Sequence, residues 1–150
     1  GTVYEYFTSK EEILRGMAAY CVQTETASLA ACLAPCQTLD ALLDALLGYL
    51  REVLHTRAAA YRILTQTLAR QSPPTLPCGE ENPLLQLFVA TVTRLQAAGE
   101  IDPAAGTGFC VFAITSACAG CLTACGTQME RYEEEILQNA RLLMQRALEK

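Results

Sequence analysis

The sequence predicts an all-α fold of about six helices, because apolar residues recur at three- and four-residue spacing while no alternating strand pattern competes. Helix start and stop signals also fall at the ends of each periodic run. Neither internal repeats nor low-complexity tracts interrupt the series.

The first helix starts at Lys10. Ser9-Lys10-Glu11-Glu12 is a capping box, in which the serine hydroxyl accepts from the Glu12 amide and the Glu12 carboxylate reaches back. Ile13, Leu14, Met17, Cys21 and Leu29 continue the pattern across a polar middle, Gln23 to Thr26, to about Leu33, where Pro35 removes a donor and biases Ala34 away from helical angles. The second helix has the clearest stripe: Leu39, Leu42, Leu43, Leu46, Leu47, Leu50, Val53 and Leu54, with Thr38 or Asp40 as its cap. The lone His55 is expected near its last carbonyls. A shorter helix with Tyr61, Leu64 and Leu68 on one side follows, and the proline-rich stretch Gln71 to Asn82 is the long loop.

Asn82-Pro83 reads as N-cap and first helical position of the next helix, which Gly99 stops in a cap that folds Ile101 back onto the last turn. Asp102-Pro103 repeats that start for an uncharged helix reaching Gly126. That helix is long enough to cross a bilayer, but Ala, Gly, Ser, Thr and Cys dominate it, so a helix buried on nearly all sides within protein fits better and no membrane role is expected. Thr127 to Glu130 forms a second capping box, and the last helix is expected to bury Tyr132, Ile136, Ala140, Leu143 and Ala147.

The 150 residues are 51% apolar, which suits one ordinary domain. A net charge of −5 excludes nucleic-acid binding by this stretch alone, because phosphate contacts need clustered Lys and Arg. The eight cysteines sit within helical patterns rather than a loop-rich framework, and no secretory leader opens the sequence. We therefore expect reduced thiols in a cytoplasmic protein, with Cys21 in the core and Cys78 in a loop.

The opening run Gly1-Thr2-Val3-Tyr4-Glu5-Tyr6-Phe7-Thr8-Ser9-Lys10-Glu11-Glu12-Ile13-Leu14 resembles the end of the helix-turn-helix in the TetR family of transcriptional regulators. It combines an aromatic triplet with a capping box at fixed spacing. The run Leu95 to Pro103 is similar to a boundary common in that family, as is the helical plan. The sequence departs from the family in that most of the helix-turn-helix does not precede Gly1.

The resemblance implies that residues 1–8 are a remnant of the recognition helix and residues 9–150 a ligand-binding and dimerisation domain. It further implies that Thr2, Tyr4, Tyr6 and Lys10 contact operator DNA in the intact parent, with Phe7 packed inside. A homodimer through the last two helices and a small apolar effector are expected. Tyr49, Tyr61, Gln66, Phe88, Phe112 and Ser116 are the candidate effector contacts, chosen by helical phase.

Cys110, Cys118, Cys121 and Cys125 fall within about 80° of arc at roughly 100° per residue. This thiol stripe admits two readings: a redox or soft-metal sensor of the same family, or small apolar residues that let helices approach closely. A third possibility is a helical interaction module without DNA function. No Ser/His/Asp set, carboxylate pair or phosphate-cradling glycine loop assembles, so no catalytic residue, no metal and no cofactor are assigned, and the chain is read as a non-enzyme.

Overall fold

The leucine stripe forms the buried face of one long helix against which three others pack. The computed structural model describes residues 10–70, 82–125 and 132–149. These form five helices and no strand: α1 (Lys10–Leu33), α2 (Leu39–Arg70), α3 (Pro83–Ala97), α4 (Thr107–Cys125) and α5 (Glu133–Leu148). Leu42, Leu43, Leu46 and Val53 of α2 are almost wholly buried. That helix packs against α1, α4 and α5, while α3 closes the bundle against α1 and α4.

The count is five among the described residues, rather than about six, because the expected second and third helices are one. Thr56-Arg57-Ala58-Ala59-Ala60 contains no Gly, Pro or cap to stop α2, and alanine is the strongest helix former. His55 consequently sits in mid-helix, where its Nε2 lies 2.8 Å from Glu133 Oε1 on α5. Thr38 is the residue that caps α2, its hydroxyl accepting from the Ala41 amide at 3.2 Å, while Glu100 accepts from the Leu39 amide at 3.2 Å.

The α3–α4 corner is tied most completely. Asn82 caps α3 by accepting from the Leu84 amide at 3.0 Å, with Pro83 at the first position. At the other end Gly99 takes a φ of 76°, which a side chain would resist. Its amide donates to Gln96 O and the Glu100 amide to Leu95 O, both at 3.0 Å, and Ile101 folds back fully buried. Arg94 reaches across to α1, donating to the carbonyls of Cys36 at 2.5 Å and Leu33 at 3.2 Å, where α1 has run out of helical partners.

The uncharged helix begins at Thr107 rather than Pro103. Asp102 does act as a cap, accepting from the Ala104 amide at 2.9 Å, but it supports one turn only. The carbonyls of Asp102 and Ala105 are taken by the Gln96 side-chain amide, at 3.1 and 2.7 Å, and Thr107 donates to the Gln96 oxygen. Those carbonyls are thereby satisfied outside a helix.

Helix α4 is not buried on nearly all sides. By length and composition it could cross a membrane, yet one flank packs into the bundle while Phe109 and Phe112 on the other are 58% and 68% exposed. Without charges, its sequence does not mark which flank faces inward. The buried face of α5 is likewise turned from the expected one: Leu137, Ala140, Met144 and Leu148 are buried, whereas Tyr132 and Leu143 are about half exposed. The two stripes share Ala140, and Ile136 of the expected one is partly buried against the core, so the face is rotated rather than replaced. Met17 of α1 is exposed as well. The expected capping boxes at Ser9 and Thr127 lie outside the described residues, apart from the Lys10 start of α1 and Glu12.

Candidate functional site

Above the packed corner the four helices α1 to α4 separate around a cavity of about 220 Å³. Its walls repeat at helical spacing: Cys21, Val22, Glu25 and Leu29 from α1; Leu46, Tyr49 and Leu50 from α2; Leu84 and Phe88 from α3; Thr115, Cys118, Ala119 and Leu122 from α4. The hollow arises where Cys21, Thr115, Cys118 and Ala119 present short side chains between the leucines. For scale, an apolar protein cavity of about 150 Å³ admits benzene.

The lining is nearly all apolar, and its polar groups are few and distinct. Glu25, only 9% exposed, is held by Arg57 of α2, whose Nη1 donates to Oε1. Glu25 Oε2 and the Tyr49 hydroxyl are buried without a hydrogen-bond partner. Thr115 spends its hydroxyl proton on the Val111 carbonyl at 2.9 Å. Burial pushes the Cys118 thiol up to about 12, with Cys121 adding to the effect, so it is protonated at neutral pH.

Burial raises Cys110, and it raises Cys36 despite the nearby Arg94, which pulls the other way. No disulfide joins Cys21, Cys32, Cys36, Cys110 and Cys118. Among the described residues no three His, Cys, Asp or Glu side chains are placed to share a metal ion.

Of the expected effector contacts, Tyr49 and Phe88 are brought together on the cavity wall. Phe112 and Ser116 are not: both are exposed on the flank of α4 that turns away from Thr115, Cys118 and Leu122. Thus the thiol side of α4, not its phenylalanine side, faces the hollow. Tyr61 and Gln66 lie on the distal part of α2, and their side chains are outside the described residues, as are Thr2, Tyr4 and Tyr6. Lys10 is the first residue of α1, its side chain likewise undescribed.

Protein-family models, characterised proteins and solved structures provide no match to the chain.

Sequence reasoning missed Glu25, and a signal for it existed. Cys21, Glu25 and Leu29 are spaced by four, so a single carboxylate interrupts an otherwise apolar helix face. Such an interruption marks either a buried ion pair or a polar anchor. Here the Arg57 pair accounts for one oxygen and leaves the other.

Proposed function

We propose that this chain is the effector-binding and pairing part of a TetR-type transcriptional regulator, cytoplasmic and acting as a repressor. Residues 1–8 then belong to the DNA-reading head, and residues 9–150 to the receptor. The observation that carries this reading is that α1, whose first residues belong to the run resembling the end of the family's helix-turn-helix, contributes four residues to the cavity wall. A ligand in the hollow therefore touches the helix that leads to the head. If the ligand binds one tilt of α1 more tightly than another, it shifts the population toward that tilt. Two heads reading half-sites about one DNA turn apart tolerate little change in their spacing, so operator affinity falls without unfolding.

Pairing of two copies through α4 and α5 is part of this proposal. Its support is the exposed apolar set on those two helices, Phe109, Phe112, Leu142 and Leu143, which are between 46% and 68% exposed. Sedimentation tests it: the chain should run as a dimer, and Phe112→Glu with Leu143→Glu should shift it to a monomer that remains helical. A wild-type monomer at tens of micromolar would remove the pairing. The coding sequence upstream of Gly1 tests the regulator itself, since this reading requires a basic helix-turn-helix segment there. Burial of the Cys118 thiol favours the receptor over the redox or soft-metal sensor variant of this reading.

A further inference from the structure

The cavity holds an imbalance that the protein does not resolve by itself. Its wall carries few polar side chains, and two of them each have a buried oxygen without a partner: Glu25 Oε2 from α1 and the Tyr49 hydroxyl from α2. Buried polar atoms are nearly always satisfied, because leaving one dry forfeits its hydration with nothing in return. Two such atoms on residues that wall one hollow point to what is meant to enter it.

The chemistry of the two groups narrows the choice. An ionised carboxylate only accepts, so Glu25 Oε2 calls for a donor; a phenol donates or accepts, so Tyr49 is able to meet an oxygen. Charge narrows it further. Arg57 already sits on the other oxygen of Glu25, and an incoming cation would leave a net positive charge in an apolar enclosure. The remaining wall groups do not compete, since the Thr115 hydroxyl proton is committed to a backbone carbonyl. One neutral hydroxyl answers both demands, donating to the carboxylate and accepting from the tyrosine. The volume leaves room for an apolar body of about one ring.

Resting on the reading of this hollow as the effector site, we infer that its ligand is a small neutral hydroxylated apolar molecule of the phenol type, with its hydroxyl seated at Glu25 and Tyr49.

Calorimetric titration of the chain with para-cresol, toluene and benzylamine tests this. These probes share one ring and differ in the group it bears. Para-cresol should bind at least about tenfold more tightly than toluene, equivalent to about 1.4 kcal/mol. Tyr49→Phe should remove most of that preference while toluene binding stays within about twofold. Glu25→Gln should act in the same direction, and because it strips the charge from Arg57's partner, Tyr49→Phe decides if that variant does not fold. Toluene binding as well as para-cresol, or a preference untouched by Tyr49→Phe, would overturn the hydroxyl assignment while leaving a ligand cavity in place. Benzylamine binding tightest would replace the neutral ligand with a cation and overturn it too. Failure of all three probes to bind would sink both the inference and the effector-site reading on which it stands.

Discussion

The two ends of the helical bundle are built to different standards. At the corner where α3 turns into α4, Gly99, Gln96, Arg94 and Asp102 satisfy the backbone groups of three chain segments, and Leu33, Leu95, Ile101 and Leu148 pack there with at most 1% exposure. At the end bounded by Cys21, Glu25, Tyr49 and Leu84, short side chains leave a hollow and two oxygens lack partners. Close packing and full hydrogen bonding are therefore within reach of this sequence, and the hollow end departs from both in the same place. Stability concentrated at one end lets the other depart from the rules that stabilise a core, which is the pattern expected where a protein keeps a binding site.

That contrast is open to measurement. The largest effect belongs to the corner: Ile101→Ala should lower the unfolding free energy by about 2–5 kcal/mol in denaturant titration. A loss under about 1 kcal/mol would mean that the corner is far looser than its burial indicates. Overpacking compares the ends directly on one helix. Ile114→Phe, at a wholly buried position, should cost about 1–3 kcal/mol, whereas Cys118→Leu, which grows into the hollow, should change stability by less than about 1 kcal/mol and block the ring probes. Equal costs would erase the distinction. Gly99→Ala should cost about 1–2 kcal/mol, the penalty for holding a side chain at positive φ.

The smallest effect lies on the seam between α2 and α5, which serves neither end. Arg51 and Gln138 bond the exposed Glu134 carboxylate and hold it below the usual carboxylate range. A depressed folded value means that this group's contribution is present above the ordinary carboxylate value and fades as pH falls through the folded one. Glu134→Gln should therefore narrow the gap between wild type and variant in the acid range and leave their midpoints nearly equal there. Exposed pairs of this kind stabilise little, so the neutral-pH difference should be slight.

What could be read beforehand follows from which forces act locally. The Thr38, Asn82 and Gly99 caps and the leucine face of α2 are written in neighbouring residues, and the structure places them where the sequence does. Rotation about a helix axis is not local. Leu137, Met144 and Leu148 take the buried face of α5 from Tyr132 and Leu143, because the packing partners set the rotation and both stripes look apolar in isolation. Helix α4 poses the same difficulty in stronger form, since its two flanks differ by cysteine against phenylalanine, and the smaller one lines the cavity. Tyr49 and Phe88 were recoverable from phase on well-patterned helices; Thr115 and Cys118 depended on knowing which neighbours α4 would meet.

The contact between Leu148 and Asp102 has a practical reach. The Asp102 amide donates to the Leu148 carbonyl at 3.1 Å, and the Leu148 side chain is wholly enclosed. The last turn of α5 thus acts as a peg for a corner almost fifty positions upstream by way of one carbonyl and one isobutyl group. Anyone shortening the protein from its C-terminal side for labelling or crystallisation should cut after Leu148 and never before it, because losing Leu148 withdraws the peg from that bend.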